Sequence, residues 1–453
     1  MTTEQRFAPG EMAAYVDREK GLVGRKIFSD PTIYELEMEK IFARAWLFIC
    51  HESQLVRAGD FFQTYMGEDR VIAVKDKEGN VNVLLNSCRH RGNSVCRADT
   101  GNAGSFMCAY HGWTYDLKGD LVGVPGFREV YYEDLDRENW GLGKAAQVTN
   151  YKGFIWATLD PNAPTLEEYL GDGGRFCVDQ LADRGDMAVL SGIMKFNIEC
   201  NWKFAMDNNQ DFYHPSITHA SANQSRFRQE SPEITALTEA QGPLANPAAP
   251  GDYSLAAPGV VVLSDYGHQS STTFLPADWE ERPIYNWRKN PELRSRYGSL
   301  GSKLSVVHCN IFPNAWFAVN SFQLVVVHQP KGPTATELWY FCFVDKNQPE
   351  SINEGWRLRN MWSLGPAGLL EQDDGENWDL STRSTISYGM RQYDLHYGMA
   401  AGHGEVVRDE TAPFARIEAM NVNEHYMRWT YGCWGEWMEA NSWQELKENH
   451  TKI

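Results

Sequence analysis

Two short motifs that each join a cysteine to a histidine carry the clearest chemistry in this chain. Cys88-Arg-His90 is followed by Cys108-Ala-Tyr-His111. In a Rieske [2Fe–2S] cluster two thiolates hold one iron and two imidazoles hold the other, and the neutral imidazoles raise the reduction potential. Because each motif offers one ligand to each iron, the spacing predicts two loop tips that enclose a cluster from opposite sides. The first chemical prediction is therefore an electron-transfer centre.

A zinc site is the alternative, because some zinc sites use the same two types of ligand. Zinc ribbons and fingers favour Cys-x-x-Cys or His-rich pairs, whereas each motif here mixes cysteine with histidine. The neighbouring Arg91-Gly92 and Gly112-Trp113 suit tight loops packed over a cluster. The complete spaced motif favours the Rieske interpretation over zinc.

A second group of possible metal ligands lies further along the chain. His214 and His219 follow two carboxylates, Asp207 and Asp211, and the segment 371–376 (Glu-Gln-Asp-Asp-Gly-Glu) adds more. Two histidines and one carboxylate form the facial triad of non-haem Fe(II) enzymes, which leaves positions open for O2 and substrate. The histidine spacing alone is weak evidence, but an electron-transfer centre needs an acceptor, and this is the one His/Asp cluster in the sequence suited to that role. The residues alone do not choose among the carboxylates of 371–376.

Composition limits the classes of protein that this chain can be. It has 453 residues, enough for two or three domains. The formal charge of −18 argues against nucleic acid and anionic membranes as partners. The cysteines outside the two motifs show no pairing pattern, which is typical of free thiols in a reducing cytosol. The first residues, MTTEQRFAPGEM, lack the apolar core of a signal peptide, and no apolar run is long enough to span a membrane. We therefore expect a cytoplasmic protein.

Hydrophobic patterning predicts the elements that must position these residues. In the first part it indicates a helix over 31–46 and then short strands that carry the two motifs on loops, over 61–66, 71–75, 81–85, 112–117 and 153–159. In the second part it indicates a helical segment over 202–219, strands over 304–312, 315–328 and 336–344, and helices over 353–381 and 411–440. Residues 240–260, rich in Ala, Pro and Gly, are expected to form a long loop, and we favour a lid. Pro161-Asn-Ala-Pro164 marks a domain boundary.

The chain resembles the large (α) subunit of Rieske non-haem iron aromatic ring-hydroxylating dioxygenases of the naphthalene/biphenyl type. The resemblance covers nearly the whole chain. It is carried by the two cluster motifs, Asn201-Trp202-Lys203, Asp211-Phe-Tyr-His214 with His219, and Gly365-Pro-Ala-Gly followed by Glu371-Gln-Asp-Asp374. It implies an α+β protein with an N-terminal helical segment (1–44) packing on the catalytic domain, an all-β Rieske domain (45–162) and a catalytic domain (163–453) with an antiparallel, helix-grip-like sheet flanked by helices.

The resemblance also implies roles for individual residues. Cys88, His90, Cys108 and His111 would hold the cluster. His214, His219 and Asp374 would bind the catalytic iron, and Asp211 would bridge His214 to the cluster ligand His111 of a neighbouring chain. Its spacing from His214 predicts that the two lie on one helical face.

One position departs from the family pattern. Relatives usually carry Asn or Gln where this chain has Asp207, and a further carboxylate near the iron could alter ligation or protonation. Residues matched to the substrate pocket are Asp207, Asn208, Phe212, Pro215, His308, Asn310, Leu364 and Leu370.

The activity that the resemblance implies is cis-dihydroxylation of an aromatic ring by O2. The chain has no nucleotide-binding fingerprint, so NADH would be oxidised by a separate flavin reductase, with or without a ferredoxin. A small β subunit is implied, giving α3β3, with α3 as the other possibility. The alternatives are a Rieske monooxygenase or O- or N-demethylase with the same cofactors, a Rieske electron carrier without oxygenase activity, and a zinc hydrolase. The sequence does not identify the aromatic substrate.

Overall fold

The protein, in a computed structural model, is described over residues 7–225, 231–241, 257–320 and 322–453. It divides into a larger unit, Met1–Ile41 with Glu167–Ile453, and a smaller unit, Phe42–Leu166. The predicted loop and lid over 240–260 lie mostly outside the described residues, since only its ends, in a helix ending at Gln241 and a strand beginning at Pro258, are described.

The N-terminal segment of the larger unit contains two short strands and one helix. Strands β1 (Val16–Asp17) and β2 (Leu22–Val23) pair antiparallel, and α1 spans Pro31–Glu37. Asp30 begins this helix because its carboxylate accepts hydrogen bonds from the amides of Thr32 and Ile33. The predicted helix over 31–46 was too long, since the α-helical geometry ends at Glu37 and a single wider π-helical turn follows over Met38–Phe42.

The smaller unit is built from antiparallel strands. They are β3 (Leu47–His51), β4 (Asp60–Met66), β5 (Asp69–Lys75), β6 (Val81–Leu85), β7 (Thr100–Asn102), β8 (Phe106–Met107), β9 (Thr114–Tyr115), β10 (Leu121–Gly123), β11 (Gln147–Tyr151) and β12 (Phe154–Thr158). They form three sheets with the orders β6-β5-β4-β7, β10-β9-β8 and β11-β12-β3. Cys88, Cys108, Trp113 and Tyr115 belong to one buried cluster, which places the motif cysteines inside the core. The strand predicted over 112–117 is shorter than expected, because residues 112–113 belong to a loop.

The larger unit is centred on a ten-stranded antiparallel sheet. Its strands are β13 (Met187–Val189), β14 (Met194–Ile198), β15 (Pro258–Leu263), β16 (Gln269–Phe274), β17 (Leu304–Ile311), β18 (Ala315–Ala318), β19 (Leu324–Pro330), β20 (Thr336–Asp345), β22 (Val406–Asp409) and β23 (Ala412–Met420). Every residue of β18 and β19 is buried, which makes these strands the centre of the core. The short β21 (Leu395–His396) pairs with β2 instead.

Helices flank this sheet. They are α2 (Leu166–Ala182), α3 (Trp202–Asn208), α4 (Pro215–Thr218), α5 (Ala220–Gln224), α6 (Pro232–Gln241), α7 (Pro291–Gly301), α8 (Glu350–Ser363), α9 (Leu369–Ile386), α10 (His425–Glu439) and α11 (Trp443–Asn449). Helix α3 packs on β19 and α9, and α10 packs on β15 and β16. The predicted α+β class, with an all-β unit and an antiparallel sheet flanked by helices, is confirmed. None of the described helices has the length and hydropathy that crossing a membrane requires.

Several predicted elements need correction. The segment 202–219 is two helices, because residues 209–214 leave the helical path and Pro215 starts α4. The strand over 315–328 is interrupted between β18 and β19. The helical stretch over 353–381 is broken by Leu364–Gly368, where Gly365 adopts a left-handed conformation (φ +82°). The helix over 411–440 was wrong in its first part, since residues 412–420 form β23, paired with both β15 and β22.

Candidate metal centres

The two cluster motifs form loops with the same backbone hydrogen bonds. In the first loop the carbonyl of Cys88 accepts from the amide of Gly92, and the amide of Cys88 donates to the carbonyl of Asn93. In the second loop Cys108 makes the same pair of bonds with Gly112 and Trp113. Both glycines are left-handed (φ +75° and +74°), a conformation that a side chain would strain. The two motifs therefore fold into nearly equivalent turns that present cysteine and histidine on one side.

The amide side chain of Asn86 holds the first loop in place. Its Oδ1 accepts from the amides of Val95 and Cys96 at 2.9 and 3.0 Å, and its Nδ2 donates to the Cys96 carbonyl at 2.8 Å. The same Nδ2 lies 2.6 Å from Oε1 of Gln63 on β4. Sequence reasoning missed Asn86, because nothing local distinguishes it from an ordinary turn residue.

The four predicted cluster ligands lie close together at the tips of these loops. The rings of His90 and His111 have centroids 4.5 Å apart, and His90 stacks on Trp113 at 5.2 Å. Both cysteines are buried, whereas His90 and His111 are less so. Nδ1 of His90 is buried and has no hydrogen-bond partner among the described residues. Two adjacent thiols and two adjacent imidazoles, one with an orphaned nitrogen, fit a [2Fe–2S] cluster.

Hydrogen bonds surround the cysteine sulfurs. The Tyr115 hydroxyl lies 3.3 Å from Sγ of Cys88, and Nδ2 of Asn93 donates to Sγ of Cys108 at 3.7 Å. Burial raises the pKa of Cys108, but donors that include the amides of Tyr110 and His111 more than offset it and lower this pKa. The loop thereby favours the thiolate, the form that binds metal.

His214, His219 and Asp374 converge in the larger unit. The histidines flank the four-residue helix α4, and Asp374 comes from α9. Nε2 of His214 lies 3.5 Å from Oδ1 of Asp374, and Nε2 of His219 lies 3.4 Å from its Oδ2. One ligand atom from each residue lies within 4.8 Å of the other two. Oδ1 of Asp374 is buried without a hydrogen-bond partner among the described residues, as expected of an oxygen that binds a metal ion.

A different carboxylate lies behind each imidazole. Oδ2 of Asp211 is 3.2 Å from Nδ1 of His214, and Oδ2 of Asp373 is 3.3 Å from Nδ1 of His219. Burial lowers the pKa of His219, but Asp374 and Asp373 together raise it. A carboxylate behind a metal-binding imidazole fixes the tautomer and the orientation of the ring. Asp373 therefore contacts the Nδ1 side of His219, whereas its neighbour Asp374 contacts the Nε2 side.

Asp211 lies close to His214, but the backbone between them does not have the predicted helical conformation. The two residues do not share a helical face, since residues 212–214 form a bend before α4. Oδ1 of Asp211 accepts from the amide of Tyr213 at 2.6 Å, which fixes the bend and directs Oδ2 at the imidazole. The predicted contact is present, but a turn rather than helical periodicity makes it.

A buried charge pair anchors the helix that precedes this bend. Nζ of Lys203 lies 2.5 Å from Oε1 of Glu37, which also accepts from the indole of Trp434 at 2.7 Å. The indole of Trp202 donates to the other Glu37 oxygen at 2.9 Å. Both oxygens of the Glu37 carboxylate therefore have donors, and these contacts join α1, α3 and α10. Glu37 and Trp434 carried no signal in the sequence, because the contacts join distant segments.

Asp207 lies outside the set of three convergent ligands. Its Oδ2 accepts from the hydroxyls of Tyr397 and Tyr431 at 2.9 and 2.6 Å. Burial outweighs these two donors and raises the pKa of Asp207 to about 7. Asp207 is not part of the described cluster of ligand atoms, and its effect on iron ligation stays a prediction.

The other predicted pocket residues have different surroundings. Phe212 and His308 contact each other, with ring centroids 5.5 Å apart. The amide of Asn310 donates to the Met206 carbonyl at 2.8 Å, so it supports the end of α3. Three more residues lie at the ends of helices: Asn208 ends α3, Pro215 begins α4 and Leu370 lies in the first turn of α9. Leu364 is buried just after α8.

A second group of possible ligands has internal partners. Cys433, Glu436 and His450 have ligand atoms within 4.8 Å of one another. Glu436, however, accepts from the Arg18 guanidinium at 3.0 Å and contacts Nδ1 of His450 at 2.5 Å. Two cationic groups already neutralise this carboxylate, so the group is built as an ion-pair network.

Comparison with known proteins places these sites in context. Residues 172–419 match the family model of the ring hydroxylating alpha subunit (catalytic domain), and residues 45–137 match that of the Rieske [2Fe-2S] domain. The chain is 35% identical over 458 residues to the biphenyl dioxygenase subunit alpha of Paraburkholderia xenovorans (strain LB400), which covers 97% of this chain and 96% of that protein. It is 34% identical over 450 residues to a benzene 1,2-dioxygenase subunit alpha of Pseudomonas putida, covering 96% and 95%.

A solved structure agrees with the sequence comparisons. The naphthalene 1,2-dioxygenase from Rhodococcus sp. bound to indole superposes with a TM-score of 0.79 at 30% identity. The match covers 93% of this chain and 95% of that one.

Proposed function

Because this chain belongs to the family of Rieske ring-hydroxylating dioxygenase α subunits, we propose that it is the terminal oxygenase that adds both atoms of O2 to an aromatic ring and releases a cis-dihydrodiol. The family uses a Rieske [2Fe–2S] cluster and a mononuclear non-haem iron. The observation that carries the proposal for this chain is the convergence of His214, His219 and Asp374, whose ligand atoms lie within 4.8 Å of one another.

The reaction balances with electrons from outside the chain. O2 and two hydrogens, delivered as two protons and two electrons, add to one double bond of the ring, so that two C–O bonds form and the O–O bond breaks. NADH supplies the electrons through partner proteins. The iron, when bound, supplies O2 binding and activation, and the protein contributes positioning.

Individual residues have assigned tasks in this proposal. Cys88 and Cys108 hold one cluster iron, His90 and His111 hold the other, and His214, His219 and Asp374 hold the mononuclear iron. Asp373 accepts the Nδ1 proton of His219, and the Asp211 carboxylate lies 3.2 Å from Nδ1 of His214, so that each Nε2 lone pair is left for the metal.

Domains follow from the same assignment. Residues 45–162 are the Rieske domain, 163–453 the catalytic domain, and 1–44 an N-terminal segment of the catalytic domain. The substrate pocket is proposed around Asn208, Phe212, Pro215, His308, Leu364 and Leu370, whereas Asp207 and Asn310 support the end of α3.

Partners are required by the chemistry. Family α subunits work with partner subunits and electron-transfer proteins. We propose a small β subunit in an α3β3 assembly, a flavin reductase and a ferredoxin as partners. In that assembly Asp211 accepts one hydrogen bond from His214 and another from His111 of the neighbouring α subunit. All nine cysteines are free, as expected for a protein that works in the reducing cytoplasm.

Single turnover under 18O2 tests the function. The reduced protein is mixed with a panel of aromatic hydrocarbons, and products are analysed by mass spectrometry. Two labelled oxygens in one diol support dioxygenation. One labelled oxygen would show a monooxygenase or demethylase. A protein with only the cluster irons and no labelled product would be an electron carrier, which would overturn the proposal.

A further inference from the structure

The imidazole of His308 is held in one tautomer. The indole nitrogen of Trp316 lies 3.2 Å from Nδ1 of His308. Since an indole N–H can only donate, Nδ1 must accept, and the proton of the neutral ring must be on Nε2. An imidazolium carries a proton on both nitrogens, so acceptance at Nδ1 also means that the ring is neutral. His308 therefore presents one fixed hydrogen-bond donor.

This donor lies beside the proposed iron site. His308 is on β17, and its ring lies between Trp316 at 5.3 Å and Phe212 at 5.5 Å. Phe212 is in the bend between Asp211 and His214.

The Nε2–H group of His308 has no acceptor among the residues that the structure describes. The residue is only half-buried, although it lies on an interior strand of the sheet. Asp207 accepts from two tyrosines, whereas the side-chain oxygen of Asn310 also has no hydrogen-bond partner among the described residues. A ligand that covers the Nε2–H group of His308 without accepting from it loses the hydrogen bond that this group makes to water, and so binds more weakly.

We propose that His308 is a specificity-determining residue that selects aromatic substrates carrying a hydrogen-bond acceptor, such as a ring nitrogen, an ether oxygen, a carbonyl or a nitro group. The inference rests on the proposed function, because it concerns the substrate of that site. Substrates whose only polar group is a donor would meet a second donor and be disfavoured.

Three bicyclic probes separate this proposal from simple shape selection. Naphthalene has no polar atom, quinoline has only an acceptor and indole has only a donor. Equilibrium dialysis against the metal-loaded, oxidised holoenzyme measures binding without turnover. In His308→Phe we expect quinoline to bind about tenfold more weakly relative to naphthalene than in the wild type, the loss of one hydrogen bond. An unchanged ratio of the two dissociation constants would overturn the proposal.

Trp316→Phe tests the tautomer independently. Without the indole donor, Nδ1 can carry the proton and Nε2 can accept. We expect indole binding to improve several-fold relative to naphthalene, while quinoline loses part of its advantage. If the indole to naphthalene ratio does not move, Trp316 does not fix the donor and the proposal fails.

Phe212→Leu is the matched control, because it changes the wall of the same space but keeps His308 and Trp316. It should shift all three probes together, whereas selective loss of quinoline would contradict a role for the donor. Oxygenated products are measured separately under 18O2. If oxygenated products form but show no preference for substrates with a hydrogen-bond acceptor, this inference alone fails. If binding favours such substrates but no oxygenated product forms, only the proposed reaction fails.

Discussion

Tyr431 on α10 donates a 2.6 Å hydrogen bond to Oδ2 of Asp207 at the end of α3. Tyr397 donates to the same oxygen at 2.9 Å, so two phenols share one buried carboxyl group. Burial outweighs both donors and raises the pKa of Asp207 to about 7, with Asp211 and Glu424 contributing in the same direction. A group whose pKa is near neutral pH thus lies in the segment that leads to the proposed iron ligands.

Asp207→Asn is expected to change how stability depends on pH. Because the native pKa of Asp207 lies above its ordinary value, the wild type loses stability as pH rises from about 4 to about 7. The asparagine variant has no carboxyl group at this position, so its stability does not decrease in this way as pH rises. Relative to the wild type it should gain on the order of 1–3 kcal/mol between pH 5 and pH 8. Urea unfolding of both proteins at these two pH values measures the gain, and parallel curves would contradict the prediction.

Asp211→Ala is expected to slow electron transfer without loss of either metal centre. The Asp211 carboxylate lies 3.2 Å from Nδ1 of His214 and is proposed to bridge to the neighbouring cluster. Removal should slow reoxidation of the reduced cluster during a single turnover by about 10–100-fold, as found for partners of metal ligands. Stopped-flow absorbance measures the rate. Iron content gives the control, since loss of the mononuclear iron would mean that Asp211 is needed for binding instead.

Asp374 and Asp373 form a matched pair for a test of iron binding. Asp374 faces Nε2 of both histidines, whereas Asp373 faces only Nδ1 of His219. Asp374→Ala should reduce iron from about three to about two per chain, with the cluster spectrum unchanged. Asp373→Ala should keep most of the iron and weaken its affinity by about 10–100-fold. Analysis of iron and acid-labile sulfide measures both effects. The assignment fails if Asp373→Ala loses the third iron while Asp374→Ala keeps it.

Tyr115→Phe should lower the reduction potential of the cluster. The Tyr115 hydroxyl lies 3.3 Å from Sγ of Cys88, and a donor to a ligand sulfur stabilises the extra negative charge of the reduced cluster. We expect a decrease on the order of tens of millivolts in a spectroscopic redox titration. Tyr131→Phe is the control, because the Tyr131 ring packs on Trp113 at 6.3 Å. Equal potentials in the wild type and in Tyr115→Phe would show that the hydroxyl does not reach the cluster charge.

His450→Gln should destabilise the protein in acidic and neutral solution. Its imidazole lies 3.3 Å from Asp265 and 2.5 Å from Glu436. Burial lowers the pKa of His450, but these carboxylates raise it to about 9. The charged pair therefore contributes fully below the unfolded pKa, near 6.5, and is lost as pH rises through about 9.

We expect His450→Gln to cost on the order of 1–3 kcal/mol at pH 6 and much less at pH 10. Denaturant unfolding at both pH values checks this difference. The exposed His403 provides a control in His403→Gln, which should change little at either pH. A cost that did not decrease with pH would show that packing of His450, rather than its charge, is responsible.

The parts of this fold that the sequence could predict are those with local signals. The cluster motifs place cysteine, histidine and glycine within a few residues, so the two tight loops follow from short-range geometry. Strands β4, β5 and β6 were predicted within two residues, because alternating apolar residues and the turn at 77–80 define them. The α+β class was predicted through the resemblance and is confirmed.

The parts that could not be predicted depend on distant contacts. Residues 412–420 resemble the start of a helix, but they pair with β15 and β22, and sheet pairing overrides local preference. The choice between Asp373 and Asp374 depends on which side of His219 each one faces. The contacts of Asp207 with Tyr397 and Tyr431 could not be predicted, because both tyrosines are far away in sequence. The assignment of the site residues stays a prediction that the variants above test.

The separation of the proposed iron ligands along the chain sets an order for maturation. His219 and Asp373, the neighbour of the proposed ligand Asp374, are 154 residues apart, and strands β15 to β20 are synthesised between them. The proposed cluster ligands, in contrast, all lie within the first 111 residues. A nascent chain can therefore complete its [2Fe–2S] loops long before the ribosome reaches α9, since domains fold in order of synthesis. Iron can enter the proposed second site only after α9 has been synthesised, and there it would cross-link two distant segments of the chain.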